Sequence, residues 1–171
     1  TEKLRRRGLH IGRHYGVDPF TSVRVAEIMT AEVVALDHTA TIGDARTRFA
    51  AGGHGAYPIV DAGRLVGIVT RGDVLRGACD DDDPPVMDHA ASQVLTVEAG
   101  DTAQTALRIM VDEQVEHVPV IDQGHRLVGI CTRTDLLKVR RRQLDLERRQ
   151  GGLASRLNGI AGIRSRKKTS T

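Results

Sequence analysis

The sequence predicts an α/β fold made of two similar halves, each running strand, helix, strand, strand, helix. Three observations carry that expectation. The stretch RLVGIVTRGDVL from Arg64 to Leu75 returns as RLVGICTRTDLL from Arg126 to Leu137. The register extends upstream, with Pro58 opposite Pro119, Asp61 opposite Asp122, Gly63 opposite Gly124 and one residue inserted around His125, as a tandem duplication requires. Short Val- and Ile-rich runs alternate with segments whose apolar residues recur at spacings of three and four. Finally, the 171 residues are 40% apolar and 27% charged, enough for one compact module with a real core.

Taken in order, residues 1–22 form an opening segment or linker. Gly8, Gly12, Gly16 and Pro19 interrupt any long helix before about Thr21, so this part is read as wrapping the module. The first half occupies 23–79. Val23 to Met29 opens a short helix or turn, and Glu32 to Leu36 is a short strand. Thr39 to Ala51 is a helix because Ile42, Ala45 and Phe49 share one face, with Thr39 or Thr41 as its cap. Tyr57 to Val60 and Leu65 to Val69 are strands joined by a turn at Asp61-Ala62-Gly63. Thr70 opens a helix that reaches about Ala78.

Residues 80–85 join the halves. Asp80 to Asp83 are consecutive, so their carboxylates cannot converge on a cation, and Pro84-Pro85 stiffen an exposed linker. The second half, 86–150, repeats the order. Its helix from Asp101 to Glu113 carries Ala103, Ala106, Leu107, Met110 and Val111 on the apolar face, and its last helix runs through Arg149 until Gly151-Gly152 stop it. In the basic tail, 151–171, Leu153, Leu157, Ile160 and Ile163 are interspersed with glycines. That pattern reads as a frayed, flexible end rather than a helix lying on a membrane.

Composition excludes several functions. Aromatic residues are 2% and Trp is absent, leaving little on which nucleic-acid bases could stack, so no specific nucleic-acid partner is expected. The net charge of +3 comes from basic ends (Arg5 to Arg7, Arg140 to Arg142, Arg164 to Lys168), read as solvated. Cys79 and Cys131 lack a metal spacing and are read as reduced thiols. His10 and His14 have the i, i+4 spacing of a metal pair but sit among glycines without a third ligand. No run has the length of a membrane span and no signal peptide is visible. Nothing resembles an activated nucleophile or an acid and base pair, so no catalytic residue, metal or required cofactor is expected.

The remaining signal is Gly-hydrophobic-hydrophobic-Thr-x-x-Asp, written twice. Gly67 and Gly129 permit close backbone approach at the strand end. Thr70 and Thr132 stand where a hydroxyl faces the free N–H groups of a helix start, which also attract anions. Asp73 and Asp135, one turn later, could accept the hydroxyls of a ribose, yet Thr-x-x-Asp is equally a relative of the capping box. Arg71 and Arg133 lie in the first turn, where a cation opposes the helix dipole by roughly 0.3 to 1 kcal/mol. Either a bound phosphate or a carboxylate elsewhere in the protein would relieve that conflict.

This duplicated motif, with the Pro58 and Pro119 strands, resembles a tandem pair of CBS domains, or Bateman module, over roughly Val25 to Val139. The resemblance implies two halves related by a pseudo-twofold axis, a homodimer, and two clefts that take an adenine nucleotide (ATP, ADP or AMP) as a regulatory ligand. It also implies that each cleft draws its Thr and Asp from one half and its adenine-facing residues from the other. One cleft would join Val33, Val34, Ala35, His54, Gly55 and Ala56 to Thr132, Arg133 and Asp135, with His54 as a flat lid on the base. The other would join Val94, Leu95, Thr96, Val115, Glu116 and His117 to Thr70, Arg71 and Asp73. Glu116 would repel phosphates there, so the first cleft should fill first. Asp135→Ala should then weaken binding more than Asp73→Ala while leaving the fold largely intact. The opening Lys3 to Gly8, leading into Val25 to Thr30, is similar to the stretch before the first CBS domain of bacterial CLC chloride channels and transporters. That similarity implies a module on the cytoplasmic face controlling a transmembrane transport domain upstream of Thr1, in the cell membrane. A nucleotide-free assembly domain and a stand-alone CBS-pair protein are the alternatives.

Overall fold

The structure, a computed structural model, describes residues 18–77 and 83–165, with side chains through residue 149. Two short helices lead. Helix α1 (Pro19–Ser22) starts where Asp18 accepts the Phe20 N–H at 3.1 Å, with Pro19 in its first turn. Pro19 therefore begins a helix rather than interrupting one, because its fixed φ suits the first turn and its missing N–H has no partner to lose there. Helix α2 (Val25–Ile28) lies within the expected Val23 to Met29, and Glu27 reaches back to the Arg24 N–H at 2.8 Å.

Each half then builds a three-stranded mixed sheet. In the first, β1 (Leu36–Asp37) runs parallel to β2 (Ala56–Asp61), which pairs antiparallel with β3 (Arg64–Thr70). In the second, β4 (Val97–Glu98), β5 (His117–Ile121) and β6 (Leu127–Thr132) repeat the order and directions. Helix α3 (Ile42–Ala51) crosses from β1 to β2 and α5 (Ala103–Asp112) from β4 to β5, capped by Thr41 and Thr102. Helices α4 (Arg71–Gly77) and α6 (Arg133–Ser165) follow the last strand of each half. The strand expected at Glu32 to Leu36 is displaced to Leu36–Asp37. Thr30 instead exchanges hydrogen bonds with Ile130 of the other half, both at 2.9 Å, and carries the chain across the molecule.

That crossing organises the core. Val25 N–H donates to Asp101 O and Ala103 N–H to Val23 O, both at 2.8 Å, so α2 closes over the second half. Val86 N–H donates to Ala40 O at 2.8 Å and Ile42 N–H to Pro84 O at 2.9 Å, so the second half's leading segment closes over the first. Val25 accordingly packs with Val97, Ala106, Val118, Val120 and Leu136, whereas Val86 packs with Ile42, Phe49, Ile59 and Val69. Ile59 and Val120 are completely buried, each contributing about 1.5–3 kcal/mol.

Two hairpin turns meet between the halves. Ala62 (φ 47°) and Gly63 (φ 82°) make the tight first turn. The second is longer by the inserted residue and uses His125 at φ 60°, with Asp122 Oδ1 accepting the Gly124 and Arg126 N–H groups. Leu65 N–H donates to His125 O and Leu127 N–H to Gly63 O, stitching the turns together.

The linker is exposed at Asp83 and Pro85, as expected, and is tied to the first half: Gly43 N–H donates to Asp83 at 2.6 Å, and bonds from the Thr41 hydroxyl and Gly43 hold that carboxyl below its ordinary pKa. Asp80 to Asp82 lie outside the described residues. One expectation needs correction: Gly151-Gly152 does not stop the last helix, whose backbone continues to Ser165. A helical Gly costs roughly 1 kcal/mol relative to Ala but keeps its N–H, so it weakens a helix without ending it. Cys79, His10, His14 and the basic residues 5–7 and 166–168 also fall outside the described residues, whereas Cys131 is a buried thiol in β6 whose pKa burial raises to about 12, helped by Asp135.

A candidate ligand cleft between the halves

The same Thr-x-x-Asp geometry occurs twice. Thr70 N–H and Oγ1–H donate to one Asp73 oxygen at 2.8 and 2.6 Å, and Asp73 N–H returns to Thr70 Oγ1 at 3.3 Å. In the second copy, Thr132 donates to Asp135 at 3.0 and 2.7 Å and receives the Asp135 N–H at 3.3 Å. Both are therefore reciprocal helix caps. The other carboxylate oxygen is held by Arg76 in the first half and by Lys138 in the second, at 2.9 Å. Asp135 is only 4% exposed. Burial alone would raise its pKa, but hydrogen bonds from Thr132 and Lys138 prevail and hold it below the ordinary carboxylate range.

A cavity of about 230 Å³ opens beside the second cap. Val33, Val34, His54, Gly55 and Ala56 from the first half line it together with Thr132 from the second, the combination expected for the first cleft. Thr30, Glu32, Gly53, Pro58, His117, Ile130 and Thr134 complete the wall. Ala35 lies just beyond the lining, and Asp135 stands behind Thr132 as its cap partner.

His54 is held by its surroundings. Its ring meets Tyr57 edge-on at 5.5 Å between centroids, Tyr57 O–H donates to Arg48 O at 3.0 Å, and the His54 carbonyl accepts from Arg71. Gly55 leaves room for a second ring: a Cβ there would meet His117 Cε1 at 2.8 Å. His117, assigned by sequence to the second cleft, thus reaches into the first. Burial lowers its pKa, opposed by nearby Glu116 and reinforced by His54. Nothing in the linear spacing signals this crossing, although the glycine opposite it in the other half was visible.

The arginines do not face the cavity. Arg71 donates to Phe49 O at 3.4 Å and His54 O at 3.3 Å and covers the Phe49 ring at 5.4 Å. It relieves its conflict with the α4 dipole at the carbonyl end of α3. Arg133 pairs with Glu116 at 3.0 Å and lines a different, apolar groove with Phe20, Leu107, Val111 and Leu137. Glu116, expected to repel phosphates in the second cleft, is thereby paired. Thr70 and Asp73 meet at the start of α4, while Val94, Leu95 and Thr96 form the extended approach to β4, and Val115 is half-buried ahead of β5. Leu95 is 41% exposed and its counterpart Val34 44%, an apolar side chain presented at the same place in both halves.

Gly67 and Gly129 do allow close approach, but to this chain's own backbone. A Cβ on Gly129 would lie 3.1 Å from Thr30 O and 2.5 Å from Met29 Sδ, and one on Gly67 would lie 3.3 Å from Ala91 O.

Two mixed sheets joined by exchanged segments, with a capped Thr-x-x-Asp at each sheet-to-helix junction, define a tandem-repeat fold of the α/β class. The chain belongs to the CBS domain family, whose pattern matches residues 25–79 and 86–142. Among curated relatives, the uncharacterized protein MJ1232 of Methanocaldococcus jannaschii is 28% identical over 72% of this chain and 42% of its own length. The inosine-5'-monophosphate dehydrogenase of the same organism is 31% identical over 67% and 23%, so this chain spans less than half of either relative. Among solved structures, the CBS domain pair of protein MJ0100, in complex with 5'-methylthioadenosine and S-adenosyl-L-methionine, superimposes with a TM-score of 0.63 over 68% of this chain and 98% of that one, at 24% identity. CBSX2 in complex with AMP gives 0.64 over 73% and 98%, at 21% identity.

Proposed function

We propose that this chain is a non-catalytic regulatory module that binds an adenosyl ligand, an adenine nucleotide or a related compound, in the cleft between its two CBS domains. The observation that carries the reading is the composition of that cleft: adenine-facing residues Val33, Val34, His54, Gly55 and Ala56 from one half and the Thr132 cap from the other converge on one cavity. A base set against the exposed Val34 and the His54 ring would place its ribose near Thr132. To accept ribose hydroxyls, Asp135 exchanges its bond to Lys138, whose side chain is 62% exposed and is given up to water at little cost. A ligand touching both halves favours the packing in which they fit it, and that preference biases whatever the module is joined to. MJ0100 and CBSX2 hold adenosyl compounds in the same fold, which supports the reading.

The module acts as a homodimer in this proposal, through the apolar groove of α1, α5 and α6, where Val111 and Leu137 are exposed. Attachment to a chloride channel is not part of it. Lys3 to Gly8 lie outside the described residues, Val25 packs into the core of the second half, and a curated relative carrying the matching region is a dehydrogenase. Among the described residues no helix is long and apolar enough to cross a membrane.

The test is thermal unfolding with AMP, ADP, ATP and S-adenosyl-L-methionine. Ligand that binds the folded state must raise the melting temperature with concentration. An unmoved melting curve at several millimolar of each, with no heat in calorimetry, would leave the assembly domain as the function.

A further inference from the structure

The charge around the cleft is the reverse of what a polyphosphate needs. Of the side chains that line it, Glu32 is the one carrying a full charge at neutral pH, and no Lys or Arg is among them. The two first-turn arginines point elsewhere, Arg71 to the carbonyls of Phe49 and His54 and Arg133 to Glu116 in the neighbouring apolar groove. At the start of α6 the Thr132, Arg133 and Asp135 N–H groups donate to the Asp135 carboxylate, Glu116 O and Thr132 Oγ1, which leaves Thr134 as the first-turn residue facing the cavity, a neutral one. Two histidines line the cavity, but burial keeps His117 uncharged at neutral pH.

Building on the adenosyl reading above, we infer that this cleft selects adenosyl compounds whose 5' substituent is neutral or cationic, a thioether or sulfonium, over those bearing phosphates, and that Glu32 sets this selectivity. A substituent on a ribose held at Thr132 shares the cavity with the Glu32 carboxylate, which attracts a sulfonium, is indifferent to a thioether and repels phosphate oxygens. Glu32 is exposed, so its substitution leaves the core untouched.

The experiment is calorimetric titration of the full chain with S-adenosyl-L-methionine, 5'-methylthioadenosine, AMP and magnesium-free ATP at low salt, repeated on Glu32→Gln. The expected result is that the two sulfur compounds bind at least tenfold more tightly than ATP, with AMP between. In Glu32→Gln the sulfonium should lose about three- to tenfold relative to the thioether, while ATP gains. ATP or AMP binding more tightly than methylthioadenosine would overturn the selectivity while leaving the adenosyl site standing, and an unchanged ligand ranking in Glu32→Gln would remove Glu32 from it. No heat from any of the four, with a chain that melts cooperatively, would overturn the adenosyl reading itself.

Discussion

Asp135→Ala should unfold this protein more readily than its symmetric counterpart Asp73→Ala, and the difference can be worked from the caps. Asp135 accepts the Thr132 N–H and hydroxyl at 3.0 and 2.7 Å and the Lys138 ammonium at 2.9 Å. Loss of the cap costs roughly 0.5–2 kcal/mol, and a buried N–H left without a partner roughly 1–3 kcal/mol. The Lys138 bond adds little because the ammonium is largely in water. Allowing for overlap between the first two, the loss is about 2–4 kcal/mol. Asp73 makes the same bonds, but its side chain is 16% exposed against 5% for Asp135, so water can reach the donors it vacates. Its loss should be about 1–2 kcal/mol. Equilibrium urea unfolding reads the difference directly. With a slope of about 2 kcal/mol per molar, the Asp135→Ala midpoint should fall by about 1–2 M. Asp135→Asn, which retains an acceptor without the charge, should recover part of it. Equal midpoints for the two alanine variants, or a loss below about 1 kcal/mol in Asp135→Ala, would show that the cap does not act as the geometry indicates. Binding losses in Asp135→Ala therefore have to be separated from its lower stability, by titrating it well below its unfolding midpoint.

Acid should destabilise the protein in two stages. The folded state keeps His117 neutral to lower pH than the unfolded chain, so stability is complete above the usual histidine value of 6.5 and declines as pH falls below it. His117→Gln should flatten that first decline in melting temperature. A second decline follows below about pH 4 as Asp135, whose folded pKa is depressed, takes up its proton. Gly129→Ala should cost about 1–3 kcal/mol in urea unfolding and Gly67→Ala less, because the added Cβ meets Thr30 O at 3.1 Å and Met29 Sδ at 2.5 Å in the first case but nothing closer than 3.3 Å in the second. Light scattering at micromolar concentration should report twice the 18.6 kDa chain mass, reduced to one by Leu137→Glu in the α6 groove; a wild-type monomer would dismiss the dimer.

Much of the architecture was legible because it is written locally and twice. The Ile42, Ala45 and Phe49 spacing, the Thr41 cap, the Asp61-Ala62-Gly63 turn and the two Thr-x-x-Asp junctions each depend on residues within a few positions of one another. The residues expected at the first cleft came instead from the resemblance, because they lie far apart in the chain. Val33, Val34, His54, Gly55, Ala56 and Thr132 were placed there by it, and the cavity brings them together. The direction of Arg133 was not legible, because an arginine in the first helical turn has two physical solutions and the sequence does not reveal that Glu116 lies within 3.0 Å.

By itself the sequence determined the duplication, the α/β class, the order of elements and the helix caps, since hydrogen bonds between near neighbours and the period of apolar residues are properties of short segments. Only the tertiary structure decided that Val25 completes the second half and Val86 the first, that His117 fills the space left by Gly55, and that both arginines turn away from the cleft. Those outcomes rest on contacts between residues far apart in the chain, such as Thr30 with Ile130. Their partners are selected by which apolar faces can be buried together and which backbone groups still need a hydrogen bond once the sheets have formed.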